Sequence, residues 1–394
     1  MPENKQKTCT EIRRVLMRQC AGLGIPASGI FELTPRCNLR CRMCYVRMTE
    51  EEMCSVGHEL TADEWLSLGR QAAAAGMVFL LITGGEPTIR SDFPEIYEGL
   101  SKLGLSVSIN TNGTHLTTAV REVFHRMPPA SVNVTLYGVC REDYAALCGN
   151  PGAFDAVCKG LDWLLSEGIL VHLNTTIVPA NHEKWREIEA FAAARGLELR
   201  MTTYCFPPTR KELCARTDGI PFERLSPEDA ARLTLDDIRY REGDTAVLRH
   251  AADMDTPGAL TDDCVLPEEV REGNAVGCMA GSAQFWMTWD GRMTPCGMLS
   301  SPVAYPDDGN GNFDAAEFPA AWEALKKETA ALRLCPDCVA CPERHTCMNC
   351  AAVTVTETGC FDGRPDYMCR LNRAYRSYLS EMAAQISGEK MKNR

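Results

Sequence analysis

The chain has 394 residues, of which 45% are hydrophobic and 24% charged, and its formal net charge is −12. An acidic balance with scattered Lys and Arg argues against a polyanion binder, so nucleic acid is not an expected partner. Residues 1–20 lack the apolar core of a signal peptide, and no run of about 18 apolar residues predicts a membrane span. These features predict a cytoplasmic protein of about two or three domains. In that compartment disulfides rarely persist, so the 21 cysteines are candidate metal ligands.

After an N-terminal segment, residues 1–28, short β-rich runs alternate with helical patterns. Six strands are predicted, at 29–34, 77–83, 105–110, 131–136, 170–178 and 197–203. Helices are predicted between them at 61–75, 91–102, 153–167 and 182–195. Thr61 and Glu64 form a capping box for the first of these helices, and Ser91 or Asp92 caps the second. This alternation predicts right-handed βαβ units and a parallel sheet, which periodicity alone leaves as either an open sheet or an incomplete barrel.

The alternation of predicted strands and helices ends at about residue 204. Residues 205–274 are predicted to form a bridge with one clear helix start, where Ser226 caps and Pro227 is the first helical residue. Residues 275–380 are rich in Cys, Gly and Pro and contain a predicted helix near 319–332. Residues 381–394 are predicted to be a polar tail.

Three cysteines follow the first predicted strand, at Cys37, Cys41 and Cys44. A structural zinc site needs four ligands, usually in two separated pairs. Three thiolates on a [4Fe–4S] cluster leave one iron open, an arrangement suited to chemistry at the metal. A three-cysteine zinc site completed from elsewhere in the chain is the alternative.

A second motif follows the second predicted strand. It is Gly84-Gly85-Glu86-Pro87, and together with CxxxCxxC one strand earlier it resembles the signature of radical S-adenosylmethionine (SAM) enzymes. The resemblance implies an α/β fold with a partial (β/α)6 TIM-like barrel over residues 29–204, with the open iron chelated by SAM. It also implies that the two glycines allow close backbone approach and that Glu86 accepts from the SAM amino group. Asn112 and Thr135 match further cofactor-facing positions of the family.

Further cysteines occupy the C-terminal region. Their order, with four residues between Gly291 and Cys296, resembles the SPASM domain of peptide-modifying radical enzymes, although only two residues separate Cys347 from Cys350 where three are usual. The resemblance implies an outer cluster on Cys338, Cys341, Cys347 and Cys369, and an inner cluster on Cys278, Cys296 and Cys350. Cys264, Cys335 and Cys360 are possible extra ligands. The expected cofactors are therefore SAM and three [4Fe–4S] clusters, with a zinc ribbon as the alternative for this small cysteine-rich domain.

The family's chemistry is reductive cleavage of SAM to methionine and a 5′-deoxyadenosyl radical, which abstracts a hydrogen atom from the substrate. The SPASM resemblance implies a maturase that forms a thioether or another cross-link in a ribosomally made peptide. A flavodoxin- or ferredoxin-type reductant is an expected partner. A separate leader-peptide-binding protein is another, because only about 28 residues precede the first strand.

Other activities stay open. They are a formylglycine-type protein maturase, a tetrapyrrole-modifying enzyme and a peptide epimerase, in which Cys205 or Cys214 could return a hydrogen atom. The contrasting non-enzyme hypothesis is a ferredoxin-like or zinc-stabilised scaffold, which would have no use for an open iron or for the Gly84–Pro87 motif.

Overall fold

The structure is a computed structural model that describes residues 3–205, 207, 222–256, 275–344 and 346–392. Cys214 and Cys264 lie outside these residues. In this part of the chain, none of the helices combines the length and apolar character needed to cross a bilayer.

The described strands form an eight-stranded sheet in the order β6-β5-β4-β3-β2-β1-β7-β8. Their bounds are β1 Ser28–Glu32, β2 Phe79–Thr83, β3 Ser106–Thr111, β4 Ser131–Thr135, β5 Val171–Thr176, β6 Leu199–Thr202, β7 Gln284–Met287 and β8 Met293–Thr294. Strands β1 to β6 pair in parallel in chain order, which confirms the six predicted strands and the predicted α/β class. Strand β7 adds in parallel to β1, and β8 pairs antiparallel with β7.

The helices lie between and after the strands. Their bounds are α1 Glu3–Leu23, α2 Glu50–Val56, α3 Ala62–Ala74, α4 Phe93–Ser101, α5 Thr118–Arg126, α6 Arg141–Cys148, α7 Ala153–Ser166, α8 Trp185–Ala193, α9 Pro227–Glu242, α10 Asp244–Asp253, α11 Phe318–Ala331, α12 Pro336–Val339, α13 Ala351–Thr358 and α14 Asp366–Lys392. The predicted capping box is confirmed, since Thr61 Oγ1 accepts from Glu64 N and Glu64 accepts from Thr61 N. Ser226 caps α9 as predicted.

Asp92 occupies the N-cap position of helix α4, but the prediction that its side chain caps the helix is wrong. Helix α4 begins at Phe93, directly after Asp92, but the Asp92 carboxylate makes no capping bond. Its two oxygens accept instead from Arg90 Nε at 2.9 Å and Nη2 at 2.7 Å. The guanidinium of Arg90 also donates to Leu33 O and Leu60 O, so this buried side chain holds Asp92 away from the helix terminus.

Strands β3, β4 and β5 have one apolar and one polar side. Alternate residues of the central strands, such as Val107, Val132 and Leu173, are buried in the same core as the helices. Helices that connect consecutive parallel strands cover one face of a sheet. The intervening residues of β3, β4 and β5 are polar and less buried, so the face opposite the helices is polar.

The region after residue 275 joins this core through β7. Phe285 packs against Phe31 of β1, with 6.3 Å between ring centroids, and against Phe318 of α11 at 5.1 Å. Strands β7 and β8 have four and two residues, too few for hydrophobic periodicity to reveal them.

Two terminal segments are helical, which the sequence analysis did not predict. The predicted polar tail is helical as far as Lys392, because it continues α14. Leu379 and Ile386 of α14 are buried against α9 and α10 in a second apolar cluster. At the other end, helix α1 buries Met17 and Cys20 against residues near β7.

Candidate functional site

The three N-terminal cysteines lie on the loop that follows β1, as the sequence analysis predicted. Backbone amides point at two of their sulfurs: Leu39 N is 3.4 Å from Cys37 Sγ, and Arg47 N is 3.3 Å from Cys44 Sγ. Cys44 N also donates to Cys41 O at 3.1 Å. Such N–H···S contacts favour thiolates and are one of the means by which proteins tune iron–sulfur clusters.

The thiols of this loop also interact electrostatically. Burial raises the pKa of Cys37 well above its usual range, and the nearby Glu86, Cys44 and Cys41 add to the rise. Burying three thiolates side by side would cost free energy unless a cation neutralised them, so the set fits a metal cluster in its chemistry. Within the described residues, however, no group of three or more His, Cys, Asp or Glu side chains is arranged to hold a metal ion. Cluster ligation therefore stays a prediction that rests on chain positions and contacts.

The Gly84–Pro87 motif follows β2 and lies directly against the cysteine loop. Gly85 N donates to Thr34 O at 2.7 Å, and Glu86 N donates to Arg36 O at 2.9 Å. A Cβ on Gly84 would lie 2.5 Å from Thr34 O, and one on Gly85 would lie 2.4 Å from Arg36 O. The two glycines therefore allow a close backbone approach to the loop that carries the cysteines, while their predicted approach to SAM stays a prediction.

Glu86 is fully buried and its carboxylate is occupied by protein donors. Oε1 accepts from Thr88 Oγ1 at 2.6 Å and from Thr111 Oγ1 at 2.8 Å, while Oε2 accepts from Asn112 N at 2.6 Å. Burial raises the pKa of Glu86, against the opposite effect of these donors. A carboxylate has about four acceptor positions, so this side chain mainly joins the ends of β2 and β3. The contact to a SAM amino group expected for Glu86 remains a prediction.

The other two expected cofactor residues lie at the same edge of the sheet. Asn112 directly follows β3 and is 6% exposed. Thr135 is the last residue of β4 and pairs in register with Asn174 of β5. Thr135 belongs to the polar face, where Asn133 Nδ2 donates to Asn110 Oδ1 at 2.7 Å and Ser131 Oγ donates to Ser108 Oγ at 2.9 Å.

The predicted outer-cluster cysteines lie near enough to influence one another's pKa. Burial raises the pKa of Cys338 to about 12, and Cys335, Cys369 and Cys347 contribute to the rise. Cys347 in turn has its pKa raised by burial and by Cys369 and Cys341. The four predicted thiols and the possible extra ligand Cys335 thus form one interacting group.

The remaining predicted cysteines that the structure describes lie next to β7, β8 and α13. Cys296 follows β8, and its charge is among those that raise the pKa of Tyr45, after burial, Glu32 and Cys44. Cys278 precedes β7, and its carbonyl accepts from Ser282 Oγ at 3.3 Å. Cys350 is exposed at the start of α13, and Cys360 is exposed with its sulfur 3.6 Å from Thr358 Oγ1.

Of the two cysteines considered as hydrogen-atom donors, the structure describes only Cys205. Burial raises the pKa of Cys205 to about 11. Its carbonyl accepts from Arg224 at 3.4 Å.

Cys148 belongs to neither of the predicted ligand groups, but it lies beside the first cysteine loop. Arg40 N donates to Cys148 O at 2.9 Å, which places the end of α6 alongside the loop. A hydrogen bond with the Cys41 thiol, together with burial, raises the pKa of Cys148 well above its usual range. The sequence offered no signal for this contact, since it depends on how α6 packs.

Comparisons with known proteins agree with this geometry. Residues 31–193 match the family described as the radical SAM superfamily. These residues are therefore a radical SAM domain, the class that the cysteine loop and the Gly84–Pro87 turn define.

Two proteins of Methanosarcina barkeri are similar in sequence. An AdoMet-dependent heme synthase is 26% identical over 84% of this chain and 92% of its own length. An Fe-coproporphyrin III synthase is 35% identical, but the match spans only 41% of this chain and 39% of that protein.

Solved structures share the fold. SuiB of Streptococcus suis bound to its precursor peptide SuiA has a TM-score of 0.63 at 17% identity, with 94% of this chain and 82% of that chain covered. The protein anSMEcpe with bound AdoMet has a TM-score of 0.62 at 14% identity, with 92% and 96% covered. At these identities the likeness shows a common fold and no more.

Proposed function

We propose that this chain is a radical SAM enzyme that holds a [4Fe–4S] cluster on Cys37, Cys41 and Cys44. Gly84–Pro87, Asn112 and Thr135 would hold SAM. The observation that carries the proposal is the direct bonding of the cysteine loop to the Gly84–Pro87 turn through Gly85 N–Thr34 O and Glu86 N–Arg36 O. Two motifs that are far apart in sequence are thereby joined into one site at the carboxyl ends of β1 and β2.

When bound, the cluster would supply the electron for the reductive cleavage of SAM. The protein's own residues position the reactants and exclude water. The backbone amides of Leu39 and Arg47 donate to the sulfurs of Cys37 and Cys44. Glu86 accepts from Asn112 N and so fixes the start of the turn after β3. The polar face of the sheet then offers Asn, Ser and Thr side chains that can orient a substrate near the cofactor.

The C-terminal cysteines are proposed to hold two auxiliary [4Fe–4S] clusters in a SPASM domain. Mutual interaction among Cys338, Cys341, Cys347 and Cys369 supports the outer one. The inner one would use Cys278, Cys296 and Cys350. A flavodoxin- or ferredoxin-type protein would supply electrons, in a cytoplasmic setting that keeps the thiols reduced.

The substrate proposed first is a side chain of a ribosomally made peptide, in which the enzyme forms a thioether or another cross-link. The order of the C-terminal cysteines supports this substrate class. A separate leader-peptide-binding protein would then present the peptide.

A tetrapyrrole is the second candidate substrate. It is favoured by the similarity to the AdoMet-dependent heme synthase, which extends over most of both chains. Identity at this level also occurs with proteins of other chemistry, such as a probable GTP 3′,8-cyclase of Aeropyrum pernix at 28% over 75% of this chain and 76% of that protein.

Metal content tests the cluster assignments. Anaerobically reconstituted protein should contain about 12 irons and matching sulfide if all three clusters are [4Fe–4S]. Replacing Cys37, Cys41 and Cys44 together by Ala should remove about four irons and abolish 5′-deoxyadenosine formation with dithionite. Cys54→Ala, an exposed cysteine of α2, is the control and should change neither quantity. Protein that contains zinc without sulfide would refute the proposal.

Product analysis separates the substrate classes. The reconstituted protein is incubated with SAM, dithionite and one of three compounds. These are the peptides encoded beside the gene, a cysteine-containing sulfatase peptide, and iron-coproporphyrin III. A cross-linked gene-neighbour peptide, detected by its mass, would support the first proposal. Formylglycine in the sulfatase peptide or haem from the porphyrin would replace it with the corresponding alternative.

A further inference from the structure

Asn112 connects the turn after β3 to the first cysteine of the loop. Its side-chain Nδ2 lies 3.7 Å from Cys37 Sγ and 2.8 Å from Asn38 Oδ1. Its Oδ1 accepts from Thr114 N at 2.9 Å and from Thr114 Oγ1 at 2.6 Å. A backbone N–H can only donate, so the atom that faces Thr114 N must be the oxygen. The amide nitrogen is therefore the atom directed at Cys37.

The neighbours of Asn112 fix this orientation. Asn112 N donates to Glu86 Oε2 at 2.6 Å, and Asn38 Nδ2 donates to Thr114 Oγ1 at 2.8 Å. Asn112 is 6% exposed, and Glu86 is fully buried. Turning the Asn112 side chain away from Cys37 would break bonds to both Thr114 and Asn38. The contact to the sulfur is consequently part of a closed network.

We infer that Asn112 is a positioning residue for the cluster, because it donates an N–H···S hydrogen bond to Cys37 and thereby raises the reduction potential of the catalytic cluster. This role rests on the proposed function, since it requires that Cys37 ligates the cluster. It differs from the cofactor-facing role expected of Asn112, because the amide hydrogens are directed at Cys37 and Asn38.

The direction of the effect follows from charge. Reduction adds negative charge to a cluster and its thiolates, and a hydrogen bond to a ligand sulfur stabilises the more negative state. Removing the donor should make reduction harder. The Glu86 carboxylate, which lies near Cys37, acts in the opposite sense.

The test is an EPR-monitored redox titration of the reconstituted full chain. The catalytic cluster is identified as the signal that disappears when Cys37, Cys41 and Cys44 are replaced by Ala. Asn112→Leu removes the donor with little change in size. At the wild-type midpoint potential, the ratio of reduced to oxidised cluster in Asn112→Leu should be about tenfold lower than in the wild type. For a one-electron couple, this corresponds to a midpoint potential lower by about 59 mV. Thr114→Ala disturbs the same network but leaves the Asn112–Cys37 contact, and its midpoint should match the wild type.

Equal midpoints for Asn112→Leu and the wild type would overturn the inference, as would an equal shift in Thr114→Ala. If Asn112→Leu does not assemble the cluster, Asn112→Ala takes its place. The alanine also has no side-chain hydrogen to give Cys37 and adds no charge, so its midpoint should fall as well, and an unchanged midpoint would again overturn the inference. Failure of the wild-type protein to bind iron and sulfide would instead refute the proposed function.

Discussion

Trp286 donates its indole N–H to the carboxylate of Glu32, with 2.7 Å between Nε1 and Oε2. Glu32 is the buried last residue of β1, and Trp286 lies on the neighbouring strand β7. The Trp286 ring packs on Gly297, where a Cβ would lie 2.5 Å from it. Gly297 directly follows Cys296, so this hydrogen bond ties the segment with a C-terminal cysteine to the strand that precedes Cys37.

Trp286→Phe should lower the free energy of unfolding by about 1.5–3 kcal/mol through the lost hydrogen bond, because the acceptor is a buried carboxylate. Trp322→Phe is the matched control, since Trp322 Nε1 donates to the neutral Gly24 O at 2.8 Å. Loss of that bond should cost about 0.5–1.5 kcal/mol. Urea unfolding of both variants measures the difference, and equal losses would show that the charge of Glu32 is unimportant.

Gly85→Ala should separate the two motifs of the site. The added Cβ would lie 2.4 Å from Arg36 O and 2.7 Å from Pro35 O. Both are backbone atoms, which cannot move aside as the end of a flexible side chain can. We expect a loss of about 1–3 kcal/mol in stability, as for other overpacked positions, and a lower iron content of the reconstituted protein.

The control is Gly388→Ala in α14, where nothing lies within 4 Å of the new Cβ. It should stabilise the helix by up to about 1 kcal/mol and leave the iron content unchanged. If Gly85→Ala unfolds at the same urea concentration as the wild type and binds the same iron, the close approach is not needed.

The site divides into features that the sequence could predict and features that it could not. Cys37, Cys41, Cys44 and the Gly84–Pro87 turn are local patterns with fixed spacing next to strands, so both motifs were visible. The Asn112–Cys37 contact joins residues 75 positions apart, and the Trp286–Glu32 bond joins residues 254 apart. Neither carries a local pattern, because each depends on strand order and on how loops pack at the sheet edge.

Asp92 shows a second limit of sequence reasoning. An Asp before an apolar run predicts an N-cap. Arg90, two residues earlier, offers both oxygens of Asp92 a charge-assisted bidentate interaction, which is stronger than one capping bond. The helix start was predicted correctly while the role of the side chain was not.

Glu189 on α8 should make stability fall as pH rises. Burial, together with Asp237 of α9, raises the pKa of Glu189 to about 7, while Arg241 partly offsets the rise. Arg241 lies 3.8 Å from Glu189 Oε1 but 2.7 Å from Asp237 Oδ2, so it pairs mainly with Asp237. Because folding raises the pKa of Glu189, losing the proton costs more free energy in the native state than in the unfolded state. The free energy of unfolding therefore falls as the pH rises from the ordinary pKa of 4.5 to about 7.

Glu189→Gln removes this titration. The melting temperature of the variant should exceed that of the wild type by an amount that increases between about pH 5 and about pH 8. Glu122→Gln, an exposed position on α5, is the control and should follow the wild type across the same range. A constant difference between Glu189→Gln and the wild type would mean that Glu189 titrates normally.

Cys148 should prove to be a neighbour of the catalytic cluster and not one of its ligands. Its thiol is 1% exposed and contacts Cys41, yet the loop already offers three thiolates, the number that leaves one iron open. Cys148→Ala should therefore keep the iron and sulfide content of the reconstituted wild-type protein, whereas Cys41→Ala should lose about four irons. Iron and sulfide analysis on protein of equal folded content, checked by circular dichroism, makes the comparison. Loss of iron from Cys148→Ala would make Cys148 a ligand and would require a four-thiolate site, which would leave no open iron for SAM.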